Sequence, residues 1–257
     1  MEARERTVAG VDGCKAGWIA VVASLVETPL EMRVIETFDQ LVASLPDDAI
    51  IAVDMPIGLP DFTGHGGRGP EALVRPLLKE RQSSVFSIPS RAAIYAEDAS
   101  FTSLDAWYES HRRASHVSRQ TSEPARAISI QAFAIFPKIR EIDALLCERP
   151  DLRARIYESH PEVAFWQLNG GKAMSLPKKV KGKINPDGME QRRHLLAASG
   201  FPPAFLEGNP PKGAAADDFL DAAAMCLVAR RIARGEAISF PDPPRVDSRG
   251  IPIAIWC

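Results

Sequence analysis

Five aspartates in this chain stand where buried elements begin or end. Asp12 closes the apolar run Val8-Ala9-Gly10-Val11, and Asp54 closes Ile50-Ile51-Ala52-Val53. Asp217, Asp218 and Asp221 open an alanine-rich stretch near the C-terminus. Burying an unpaired carboxylate is costly, and two of them brought to about 5 Å repel by roughly 3 kcal/mol at an effective dielectric near 20. A divalent cation would turn that repulsion into coordination. The spacing therefore points to a metal site drawn from Asp12, Asp54, Asp217, Asp218 and Asp221. Carboxylates completed by water suit Mg²⁺ or Mn²⁺.

Each station also has a plain structural reading. Asp12-Gly13 is a common turn dipeptide, and Asp54 before Met55-Pro56 can close an Asx-turn. Acids in the first turn of a helix complement its dipole. Against that, Asp217 and Asp218 lie four and three residues before Asp221, so their like charges disfavour an isolated helix. His160 and Glu162 follow a short apolar segment and could add a fourth acid and a proton shuttle. Alternatively they form a satisfied helix start. Residues 172–183 carry Lys172, Lys178, Lys179, Lys181 and Lys183, which read as a phosphate grip or as a solvated loop. Arg81 and Arg91 flank a segment rich in donors, with Phe86 exposed for a substrate. Residues 64–69 hold four glycines and read as a flexible loop, without the lysine and hydroxyl pair of a phosphate-binding loop.

Continuous apolar runs of four or five residues are the signature of central sheet strands, and ligands gather at the carboxyl ends of such strands. Residues 7–12 and 17–25 read as an antiparallel hairpin, with 30–37 as a third, half-exposed strand. A helix over 38–45 then leads to a fourth strand ending at Asp54, parallel to the first and beside it through a right-handed crossover. Helical patterns follow near 70–80, 103–118 (capped by Ser103) and 131–147. A fifth strand at 155–159 lies next to the fourth. Helices over 161–168, 187–199 and 215–234 complete the chain, the last stopped by Gly235, before a proline-rich tail anchored by its apolar end. The expected architecture is α/β: a mixed five-stranded sheet flanked by helices, in one domain over 1–257 with a helical insertion at about 61–150.

At 257 residues, 46% hydrophobic and 25% charged, the chain has the make-up of a globular protein. A net charge of −2 provides no global field toward nucleic acid or membrane. Cys14, Cys147, Cys226 and Cys257 form no CxxC pair, which argues against structural zinc and a disulfide framework. The charged opening, residues 1–6, leads straight into a strand. With no signal-like segment and no long apolar span, the expected location is the cytoplasm.

The stretch 11–18, Val-Asp-Gly-Cys-Lys-Ala-Gly-Trp, resembles the opening of a bacterial and archaeal family, domain of unknown function 429. That family is described as predicted nucleases of the ribonuclease H-like fold. Further stretches are similar to it: 54–60, 81–91, Gln131 with 137–141, 160–162, and Asp217-Asp218 with Asp221. Ribonuclease H-like resolvases place one acid on the first strand, one on the fourth and two in a C-terminal helix. By that resemblance the catalytic metal ligands fall on Asp12, Asp54, Asp218 and Asp221, with Asp54 where resolvases usually carry Glu. Lys15, Arg81, Arg91 and Lys138, cations within the matched stretches, are then the expected substrate contacts.

Three functions fit these readings. The first is a two-metal nuclease working on nucleic acid or a nucleotide. The second is a phosphotransferase related to actin-like sugar kinases, using the 12–15 hairpin to cradle ATP. The third is a non-catalytic nucleic-acid or nucleotide-binding protein on the same fold.

Overall fold

The apolar runs account for the central sheet. In a computed structural model describing residues 6–25, 30–97 and 102–257, β1 (Thr7–Cys14) and β2 (Gly17–Ser24) form an antiparallel hairpin turned by Lys15 and Ala16. β3 (Glu31–Ile35) pairs antiparallel with β2. α1 (Phe38–Ala43), capped by Thr37, returns the chain to β4 (Ile50–Val53), which runs parallel to β1 with Val8 beside Ile50 and Val11 beside Val53. The chain then leaves the sheet for α2 (Pro70–Leu78), a 3-10 turn over Lys79–Ser84, α3 (Arg91–Ile94), α4 (Leu104–Gln120), α5 (Ile130–Ala134) and α6 (Phe136–Glu148). It comes back as β5 (Ile156–Glu158), parallel to β4. There follow α7 (Pro161–Leu168), the two-residue strands β6 (Lys179–Val180) and β7 (Lys183–Ile184), α8 (Pro186–Ala198), α9 (Pro203–Leu206) and α10 (Ala216–Arg234). The hairpin of β8 (Ser239–Val246) and β9 (Pro252–Trp256) closes the chain.

The sheet order is β3-β2-β1-β4-β5, three antiparallel strands continued by two parallel ones, and the fold is α/β as expected. Successive strand residues point to opposite faces, and both faces are covered. Ala9, Val11, Ile51 and Val53 face α1, α5 and α6 through Phe38, Leu41, Phe133 and Phe136. Val8, Ile19, Ile50 and Ala52 face α10 through Phe219, Ala222, Ala223 and Cys226. Double coverage is why the strands read as unbroken apolar runs instead of alternating ones. α10 lies very close to β1. A Cβ on Gly10 would fall 1.9 Å from the Cys226 nitrogen and 2.1 Å from the Ala222 oxygen, so only a glycine facing small helix residues permits this approach. Gly235 ends α10 in the left-handed region at φ 70° and ψ 25°.

Four segments differ from the sequence reading. The glycine-rich stretch is held in place: buried Arg68 binds the Ile57 and Gly58 carbonyls, and Arg75 ties the Gly66 carbonyl to Val85 and Ser87. The helix expected at 131–147 is two helices parted at Ile135, because Pro137 has no N–H to donate and its ring crowds the preceding turn. Phe86 is half-buried against the core instead of exposed. The tail is a β-hairpin in which Pro241, Pro243 and Pro244 fall on the irregular part of β8, where register shifts between Phe240 and Arg245. Of the charged opening stretch, residues 1–5 lie outside the described residues.

Candidate metal centre

Strand parity delivers the first two acids to the same place. Asp12 continues the face of Val8 and Gly10, and Asp54 continues the face of Ile50 and Ala52, so both turn toward α10. The parallel register is carried one residue past β4 by the Asp54 N–H, which donates to the Val11 carbonyl at 2.9 Å. Asp221 enters from the second turn of α10, brought down by the Gly10 contact. The three side chains each offer a carboxylate oxygen, all within 4.8 Å of one another. Asp12 Oδ1 accepts from the Gly13 N–H at 2.6 Å. Asp221 is fully buried, and its Oδ1 has no hydrogen-bond partner.

Such crowding shows in the acidities. Burial pushes Asp12 well above the usual carboxylate range, with Asp54 and Asp221 adding to it. Asp54 is raised to about 7 by burial, with Glu162 and Asp218 reinforcing the shift against the pull of Lys178. Asp221 is raised to about 6, again by burial first. Lys178, just ahead of β6, sends its ammonium into this group and binds Asp221, 3.8 Å from Asp217. Burial opposes its charge, yet Asp221 and Asp12 outweigh that and hold Lys178 above the ordinary lysine range. One lysine among three acids offsets their charge only in part.

The other expected residues divide into neighbours and outliers. Asp218 sits beside the cluster but outside the close trio. Its Oδ2 accepts from the Ala215 N–H at 2.9 Å, an acid of the first helical turn reaching back to the cap. Asp217 is buried and held by Lys179 at 2.6 Å, with Oδ1 lacking a partner. Glu162 is bound by the fully buried Arg192, and its Oε2 also lacks a partner. His160 caps α7. Its Nδ1 accepts from the Glu162 N–H, which leaves the proton on Nε2 facing the Ser84 carbonyl at 3.3 Å. Burial lowers its pKa, and in this arrangement both ring nitrogens face backbone groups.

Among the expected cations, Lys138 lies at the site. It stacks 4.2 Å over the Trp18 ring, donates to the Gly17 carbonyl, and has its pKa lowered by burial. Lys15 is exposed at the tip of the β1–β2 turn. Arg81 is half-buried in the 3-10 turn, its Nε without a partner. Arg91 belongs elsewhere: its guanidinium is consumed by Asp143 and Asp247, and it lines a separate cavity with Tyr95, Cys147 and Arg249.

Residues 10–246 match the family described as protein of unknown function, DUF429. The chain belongs to this family. No curated protein and no solved structure matches it.

This DUF429 protein has a cleft of about 210 Å³ beside Asp12 and Asp54. Lys138, Ser84 and His160 supply its polar wall, and Met55, Phe86 and Ile135 its apolar one. Beneath it lies a group that sequence reasoning missed. Arg68 binds Glu158 at 2.6 Å and Glu71 at 2.8 Å, all three buried, while Glu158 also accepts from the Ile57 N–H at 2.7 Å. This network anchors the backbone that follows Asp54. Arg68 gave no signal because its partners lie 3 and 90 residues away in sequence. Lys178 was visible only as one of five lysines. The signal that could have singled it out is the prolyl residue before it, since Pro177 limits the chain on entry to the hairpin.

Proposed function

We propose that this DUF429 protein is a metal-dependent phosphodiesterase acting on nucleic acid or a nucleotide. The observation that carries the reading is the trio Asp12, Asp54 and Asp221, whose carboxylate oxygens lie within 4.8 Å of one another, with Asp12 and Asp54 lining a cleft. Hard, buried oxygen donors with an unpartnered Asp221 Oδ1 fit Mg²⁺ or Mn²⁺. Such ions would supply Lewis acidity at a phosphoryl oxygen and a water of lowered pKa. Asp12 would be the shared ligand, with Asp54 on one side and Asp221 on the other. Asp218 would join by giving up its bond to Ala215. The sheet order supports the ribonuclease H-like resemblance, which expects acids on the first and fourth strands and in a C-terminal helix.

The residues around the cleft would position the substrate. Lys138 presents a partly buried ammonium for a phosphate, and Phe86 offers an aromatic face. The phosphotransferase alternative finds less support. The β1–β2 turn is closed by Lys15 and Ala16, and the Ala16 N–H is already taken by the Gly213 carbonyl at 3.1 Å, so that turn has no free cradle for a polyphosphate. The non-catalytic alternative is favoured by one observation, that Lys178 already offsets part of the acid charge.

Titration of Mn²⁺ into wild type and Asp54→Asn by calorimetry tests the metal assignment without a guess at substrate. The expected result is binding in the wild type that is lost in the variant, followed by Mn²⁺-dependent cleavage of single-stranded oligonucleotides by the wild type alone. Equal cleavage by both proteins would rule the assignment out.

A further inference from the structure

Lys178 already supplies a cation to the acids that would hold a metal ion. Its ammonium binds Asp221, the buried member of the trio, and the adjacent Lys179 binds Asp217 at 2.6 Å. Two consecutive lysines thus pin the β6–β7 hairpin to the first turns of α10. Elsewhere the hairpin is thinly held. Val180 and Ile184 are 51% and 43% exposed, and the hairpin base closes through the Asn185 N–H to the Lys178 carbonyl at 2.9 Å. Asp217 Oδ1 and Asp221 Oδ1 remain buried without partners. The ammonium, with one charge and three donors, therefore leaves acceptors that a dication would use. The two cations compete, because an ion ligated by Asp221 would lie within a few ångströms of the ammonium on the same carboxylate.

We propose that Lys178 is an internal cation of the acid cluster that a divalent ion displaces, so that the β6–β7 hairpin gates metal entry. This rests on the metal reading of Asp12, Asp54 and Asp221. With Lys178 in place, the acids stay folded together and the site is closed to weakly binding ions. With the ion bound, Lys178 leaves, and the hairpin loses one of its two anchors.

The test is Mn²⁺ titration of the full chain as wild type, Lys178→Met, Lys178→Gln and Lys178→Arg, with hydrogen exchange of the hairpin amides followed alongside. Lys178→Met and Lys178→Gln should bind Mn²⁺ at least about tenfold more tightly than wild type, and Lys178→Arg no more tightly. Mn²⁺ should speed amide exchange across 179–184 in the wild type. A lysine of purely structural importance would do the reverse, since its loss would loosen the cluster and weaken binding. Equal or weaker binding by both neutral variants, or unchanged hairpin exchange, would overturn the proposal. If Mn²⁺ binds as expected but no variant cleaves nucleic acid, the nuclease reading fails and the gating proposal stands. If Mn²⁺ binds to none, both fall.

Discussion

Replacing Asp54 by asparagine should stabilise the metal-free protein while destroying its metal site. Asp54 has a folded-state pKa of about 7 against an ordinary value of 3.8. The raised value means that the folded protein holds this proton more tightly than the unfolded chain. Relative stability is therefore complete below about pH 4 and is lost as pH climbs toward and through 7. The difference of about 3 pH units, at 1.36 kcal/mol each, sets a ceiling near 4 kcal/mol. Asparagine never ionises and escapes that penalty; because the value of about 7 already includes the pull of Lys178, the expected gain is up to about 4 kcal/mol. The assay is urea unfolding of both proteins in EDTA, from about pH 4 to pH 8.5. The advantage of Asp54→Asn should be near zero at the acid end, grow between about pH 4 and 7, and level off above. Added Mn²⁺ should then reverse the order by stabilising only the wild type. A variant that is no more stable than wild type at pH 8, or an advantage independent of pH, would refute the argument that ionised Asp54 is held at a cost.

Other outcomes follow from the same geometry. Because Asp54 and Asp221 titrate near 7 and 6, Mn²⁺ affinity measured by calorimetry should rise steeply between about pH 5 and 8 and flatten beyond. Gly10→Ala would drive a methyl into the backbone of α10, 1.9 Å from the Cys226 nitrogen. It should destabilise by roughly 3 kcal/mol or more on urea unfolding and weaken Mn²⁺ binding by shifting Asp221. Arg68→Met leaves Glu71 and Glu158 buried without their cation. A loss of about 3–5 kcal/mol, lowering Tm by on the order of 10 °C in a scan, is the expected result.

Much of the scaffold was legible because its signals are local. Unbroken apolar runs ending at Asp12 and Asp54 marked doubly covered strands, and short connections limited how those strands could pair. His160-Pro161 marked the start of α7, Ser103 the cap of α4, and Gly235 the end of α10. The alanines of α10 were legible as a run of small residues, but Gly10 as their counterpart was not legible from one strand alone. The β6–β7 and β8–β9 hairpins escaped notice for physical reasons. Two-residue strands carry no periodicity, and the prolines in β8 sit at an irregular register where the ladder does not need their missing N–H groups.

The sequence by itself determined which acids could meet, because strand parity and helix spacing are properties of consecutive residues. Asp12 and Asp54 share a face through period two along parallel strands, and Asp221 rides a helix small enough to touch them. Only the tertiary structure decided which charges sit among those acids. Asp218 turned back to cap its own helix, Arg91 was drawn to Asp143 and Asp247, and His160 was fixed as a backbone cap. Among the described cations, Lys178 is the one paired with a member of the trio. Those choices depend on distance, burial and competition among groups far apart in sequence. Electrostatic energy in a partly dry interior is set by spatial neighbours, which no local pattern records.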